Sequence, residues 1–384
     1  MTWLRVWRRA VIAPAYRRAG AVWVGSAIVG ALVFGANGMH PHDLTGLALH
    51  RAGVAAVLGT AWLLLFLPTA RLLVRPDGAA YLRSLPHAPA APRALAAAAL
   101  VGLQLPWLLL WLVGERALGL AIVCAGTLVI AALASWSPRA RTYRTPTWST
   151  ATVALAAVYI RALTRRASDA LVRGIGLAIL AGLFGGLMIR NNAATGAHAA
   201  VFATASLSLV LVPGWAGALM PLVEARRQAA WLAHSLGISR SSRLAALYAV
   251  VAAIYVATMT IALGATTLIA TTSPPPHANA ESPVMRLDVT PTPPATTFAL
   301  LALIAFACGL GAACIATRGI LHADVAASDD PRDTPRRGPA AARVVVGAAA
   351  GAGLIVLALA LLGAIGALGV LVLGIAALAT AKDA

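Results

Sequence analysis

Residues 94–136 read ALAAAALVGL QLPWLLLWLV GERALGLAIV CAGTLVIAAL ASW, and the only charges in them are Glu115 and Arg116, side by side after Gly114. Each apolar run is about the 20 residues that a helix needs to cross a hydrocarbon core of roughly 30 Å. A glycine followed by two charges marks an aqueous turn, so the stretch reads as two spans, 93–113 and 117–136, joined outside the membrane.

The same pattern recurs along the chain. Long apolar runs at 19–38, 48–68, 174–190, 196–220, 244–271 and 297–317, charged only at Arg51 and Arg190 near their ends, bring the expected spans to eight. The tail from Val344 to Ala381 carries no charge and as one helix would extend nearly twice the hydrocarbon thickness. A hairpin breaking near Gly363, Gly366 and Gly369 is the favoured reading, with one long tilted helix as the alternative, and it gives about ten spans. The composition agrees, with 60% hydrophobic residues, 11% charged residues and a mean hydropathy of +0.83. The expected class is an all-α polytopic membrane protein.

Basic residues near span ends resist translocation, so their distribution orients the chain. Of thirty basic residues, one, Lys382, is a lysine, and twenty-six fall in segments on one side of this topology. Arg51, Arg116, Arg190 and Arg286 are on the other. Both termini are therefore expected in the cytoplasm, in the plasma or inner membrane. The +18 formal charge is spread over span boundaries rather than gathered in one patch with aromatics, which points to anionic lipid headgroups and away from nucleic acid. No cleavable signal is read at the start.

Laid on itself at an offset of about 151 to 155 residues, the chain shows an internal repeat. Val6-Trp7-Arg8-Arg9 is answered by Val158-Tyr159-Ile160-Arg161, and Tyr81-Leu82-Arg83-Ser84-Leu85-Pro86 by Leu232-Ala233-His234-Ser235-Leu236-Gly237. Each half reads as an interfacial helix, two spans, a basic segment and two more spans, in parallel because the span number is even. The expected organisation is 1–146 and 147–317 as repeats, 318–343 as a charged linker and 344–384 as a hydrophobic hairpin. In the opening helix Trp3, Val6, Trp7, Ala10 and Val11 share one face and Arg5, Arg8 and Arg9 lie off it, the pattern of a helix in the headgroup plane. Its counterpart at 147–166 reads as a second such elbow, the alternative being a further span. Residues 271–296 hold seven prolines and read as an extended outside connection.

Much chemistry is excluded. A phosphate-cradling P-loop needs lysine before Ser or Thr, and Schiff-base and Ser-x-x-Lys chemistry need a lysine too, yet Lys382 stands two residues from the end. Cys124, Cys308 and Cys314 lie in expected spans without metal spacing and read as packing residues. All twelve acidic residues fall in loops or at span ends, which argues against an ion-coupled carrier with an intramembrane carboxylate. His40-Pro41-His42-Asp43 with His50 is the nearest approach to a metal cluster, but ordinary loop polarity is the better reading. Trp62, Trp107 and Trp111 read as packing or interface aromatics before a substrate path. No catalytic, cofactor-binding or metal-binding residue is expected.

The segment from Pro221 through Glu224, Arg226 and Arg227 to Ser235-Leu236-Gly237-Ile238-Ser239-Arg240 reads as a short amphipathic cytoplasmic helix, a glycine turn and the start of a span. Here the chain resembles permease subunits of the type-two ABC exporter superfamily, which have an N-terminal elbow, two spans and a coupling helix with an acidic residue and a Leu-x-Ser-Leu-Pro-x-Ser-Arg-like end. Glu224 matches the acid, Ser235-Leu236 and Ser239-Arg240 match the end, and Gly237 departs from the usual proline. In the first half Arg83-Ser84-Leu85-Pro86 matches, but Asp77 is the only nearby acid and Ala88-Pro89 replaces Ser-Arg. The resemblance covers two short stretches and the span order, and ten spans exceed the six usual for such a subunit. It implies that a separate cytoplasmic ATPase docks on these helices in a homo- or hetero-oligomer. The alternatives are a non-enzymatic membrane scaffold packing through small residues such as Gly347 and Gly351, and an ATP-independent carrier or channel.

Overall fold

The structure, a computed structural model, describes residues 2–34, 40–74, 91–135, 150–191, 219, 221–230, 233–271, 295–328, 351, 353–359 and 361–380. These are helical, and no strand occurs among them. All of the expected span 196–220 but residue 219, the Arg83–Pro86 motif, and most of the proline-rich connection and the 318–343 linker lie outside the described residues. Among the described residues, five helical stretches are long and apolar enough to cross a membrane, Ala52–Val74, Leu105–Ser135, Ser168–Leu187, Arg240–Ala270 and Ala295–Leu321, of which Leu105–Ser135 contains a reversal at Arg116. The chain is an all-helical membrane-type protein, divided into two compact units, Met1–Thr142 with Pro274–Leu287 and Tyr143–Ser273 with Asp288–Ala384.

In the first unit, α1 (Thr2–Trp7) passes through a π-helical turn, Arg8–Ile12, into α2 (Ala13–Val33). The opening helix is thus continuous with the first apolar helix rather than set apart from it. Pro14 supplies the reason: it lacks an N–H and its ring crowds the carbonyl four residues back, and a wider turn immediately before it makes room. α2 is tied to α5 (Ala91–Leu103) by Tyr16 donating to the Ala99 carbonyl at 3.2 Å and Trp23 donating to the Leu103 carbonyl at 2.8 Å. α3 (Pro41–His50) and α4 (Ala52–Val74) complete the bundle with α6 (Leu105–Ser135).

α6 is not one straight rod. Arg116 has φ 47° and ψ −115°, and a methyl on Gly119 would overlap the Trp111 carbonyl. Residues eight apart on a straight helix are about 12 Å apart, so this contact requires the chain to fold back. Gln104 and Thr127 meet across the two arms at 3.1 Å, which fixes them as antiparallel about Glu115 and Arg116. The turn expected from Gly114-Glu115-Arg116 is where the chain reverses.

In the second unit, α7 (Ala151–Arg166) is separated from α8 (Ser168–Asn191) by a break at Ala167, φ −124°. Sixteen residues extend about 24 Å, short of the hydrocarbon core. α8 packs closely on α10 (Arg240–Ala270): Gly182 lies against the Ala262 carbonyl, Gly186 faces Ile269 and the Thr266 carbonyl, and Thr266 donates to the Gly182 carbonyl at 3.1 Å. Small residues one turn apart let the two backbones approach. α11 (Ala295–Ser328) runs past the expected span end at 317, carrying Asp324 within the helix. Against it lies α13 (Ala364–Ala379), with Val370 and Gly374 touching Gly311, and α12 (residues 353–359 and 361–362) precedes α13. The tail reverses at Gly363, φ 57° and ψ −138°, where Gly366 meets the Ala358 carbonyl.

Candidate functional site

α7 owes its orientation to its sequence period. Leu155, Tyr159 and Leu163, spaced by four, are buried, while Arg161, Arg165 and Arg166 are exposed. Thr150 caps its start, the side chain accepting from the Val153 N–H at 3.4 Å. The buried face shares a core with Leu222, Val223 and Ala225 of a short helix, α9 (residues 221–230), and with Leu247 and Val251 of α10.

α9 turns Glu224, Arg227 and Gln228 outward and half-buries Arg226. Gln228 links the two helices: its carbonyl accepts from Arg166 Nη2 at 3.1 Å, and its amide donates to Glu224 Oε1 at 2.7 Å. Sequence reasoning passed over Gln228, because a lone polar residue on an exposed helix face looks like solvated surface and Arg166 lies 62 residues earlier.

After α9 the chain makes a Schellman turn. The Ile238 N–H bonds the Ala233 carbonyl at 2.9 Å and the Gly237 N–H the His234 carbonyl at 3.0 Å, with Gly237 at φ 61°. Proline, fixed near −65°, cannot take that conformation, which gives the departure at Gly237 a local physical reason. Ser239 then caps α10, accepting from the Ser242 N–H at 3.3 Å, and Arg240 opens the helix, exposed. Ser235 is exposed too, and Leu236, 66% exposed, presents an apolar side chain at the turn. Glu224 is thus joined to Gln228 and through it to Arg166, while Ser235, Leu236, Gly237 and Arg240 form the turn that follows.

Two other polar groups lie in the first unit. His40 and Asp43 form the capping box that starts α3, the His40 N–H bonding Asp43 Oδ2 at 3.0 Å. His42 Nδ1 lies 2.9 Å from the Gly114 carbonyl and 3.4 Å from Glu115 Oε1, which also accepts from the Thr45 hydroxyl at 2.8 Å. Among the described residues no group of three or more His, Cys, Asp or Glu is placed to hold a metal ion. The second group surrounds buried Gln104, which sits where α5 breaks before Pro106. Gln104 accepts from Trp62 Nε1 at 2.8 Å and donates to the Leu100 carbonyl and Thr127 Oγ1, both at 3.1 Å. Trp62 stacks on Trp107 at 5.5 Å, so these indoles are packed in the bundle.

No family model, curated protein or solved structure matches the chain.

Proposed function

We propose that this chain is the membrane-spanning permease subunit of an ATP-driven exporter, energised by a separate cytoplasmic ATPase subunit, with an amphiphilic or lipid-linked cargo. The observation that supports the reading is α9. It is a short amphipathic helix whose apolar face is anchored on α7 and α10, whose outer face offers Glu224, Arg227 and Gln228, and whose exit leads by a capped turn into α10. Such a helix is firmly seated on the elements it must move and polar where a partner must grip. In this reading about ten spans cross the plasma or inner membrane with both termini inside, and Arg83-Ser84-Leu85-Pro86 is the corresponding grip of the first half.

The test is affinity purification of the tagged full chain from its native membrane in mild detergent, with mass spectrometry of stoichiometric partners. A soluble P-loop ATPase is the expected partner. Replacing Glu224 and Arg227 together with alanine is expected to reduce its recovery at least tenfold while leaving the chain folded, because both are exposed. Recovery of integral membrane proteins alone, or of no partner, would transfer support to the scaffold or carrier.

A further inference from the structure

Between α7 and α9 lies a cavity of about 330 Å³. Its floor is apolar, made by Val158, Ala162, Ala225 and Ala229, and its rim carries Arg161, Arg165 and Arg166. The three arginines are not equivalent. Arg166 donates to Gln228, whereas the side chains of Arg161 and Arg165 make no hydrogen bond or ion pair among the described residues. They stand one helical turn apart on the same face, where two like charges repel each other unless an anion lies between them. The nearby Glu224 carboxylate is engaged by Gln228.

The cavity also has a definite level. α7 ends at Arg166, one residue breaks the helix, and the apolar α8 begins at Ser168. α9 is followed by the turn that opens α10. The rim therefore stands at the mouths of two membrane-crossing helices, the depth of lipid headgroups. Guanidinium groups pair with phosphate oxygens through paired N–H donors, and an apolar floor suits the glycerol and first acyl carbons beneath a headgroup. A free phosphate has no use for that floor.

We infer that the groove between α7 and α9 binds one anionic phospholipid, its phosphate held by Arg161 and Arg165 and its glycerol backbone resting on Val158, Ala162, Ala225 and Ala229. The assignment stands independently of any ATPase docking on α9. It makes the lipid a wedge between the amphipathic helix and the short helix it supports.

The test is native mass spectrometry of the purified full-length protein in neutral detergent, titrated with phosphatidylglycerol or phosphatidylcholine. Phosphatidylglycerol is expected to give a single tight adduct, and phosphatidylcholine to bind at least roughly tenfold more weakly. The double variant R161Q/R165Q, altered only at exposed side chains, is expected to lose about tenfold in phosphatidylglycerol affinity. R5Q/R8Q, which removes exposed arginines from the other unit, is expected to lose none. Three results would overturn the proposal: equal binding of the two lipids, an unchanged R161Q/R165Q variant, or an equal loss in R5Q/R8Q, which would mean attraction to net charge. Competition by the acyl-free glycerophosphoglycerol at the same concentration would also overturn it, by showing a free-anion site.

Discussion

Two corners of this molecule make the same reversal with different residues. At Arg116 and at Gly363 the backbone enters the left-handed region, φ 47° and 57°, with ψ −115° and −138°. Three residues on, a glycine, Gly119 or Gly366, lies against the carbonyl of the residue five before the corner, Trp111 or Ala358. Glycine adopts such a conformation freely, and other residues pay about 1–3 kcal/mol. The tail uses glycine among Leu361, Leu362 and Ile365, all exposed and apolar, with no polar neighbour in sequence to hold anything else. The first corner tolerates arginine because its surroundings over-determine it: Thr45 bonds Glu115, His42 reaches Glu115 and the Gly114 carbonyl, and Gln104 joins the arms to each other and to Trp62. One corner is relaxed and unsupported, the other strained and clamped.

The largest effect expected is common to both corners. Gly119→Leu and Gly366→Leu each force a side chain into the opposite arm's backbone and should each cost roughly 3 kcal/mol or more, read as a fall in thermal midpoint of the detergent-solubilised protein. If either substitution is tolerated, that hairpin is not closed as described and the parallel collapses.

The next distinguishes the corners. Gln104→Leu strands the Trp62 N–H in the bundle and removes the bond to Thr127, at a cost of about 2 kcal/mol. Unchanged stability would mean that the clamp contributes nothing.

The smallest pair has opposite signs. Gly363→Ala should lower stability by about 1–2 kcal/mol, whereas Arg116→Gly should raise it by about 1 kcal/mol, because only the arginine is strained. A loss on Arg116→Gly in the same thermal assay would place the guanidinium among the contacts that hold the corner.

Several of these features are legible in the chain itself. The reversal at Gly114-Glu115-Arg116 announces itself by two charges in an apolar run, and the one at Gly363 by glycines in a stretch too long for one span. The buried stripe Leu155, Tyr159 and Leu163 follows from helical spacing, since any helix with that pattern must cover that face. Gln104 is the opposite case. One amide in an apolar run looks incidental, and its meaning appears only when Trp62, 42 residues earlier, and Thr127, 23 later, converge on it. The entry helices show the same limit: similar sequences lead into α2 through an unbroken π turn and into α8 through a break at Ala167.

Class and secondary structure were open to reading from residues alone because they rest on local quantities. An apolar run of sufficient length must satisfy its own backbone as a helix in lipid, whatever its neighbours are. Partnerships were not open in that way. That Arg166 meets Gln228, that Thr45 meets Glu115, and that Arg161 and Arg165 overlook a cavity floored partly by α9 depend on how helices distant in sequence cross. Packing chooses those crossings through the fit of small residues such as Gly119, Gly182 and Gly366 against facing backbone, a property of pairs of surfaces that no single stretch of chain contains.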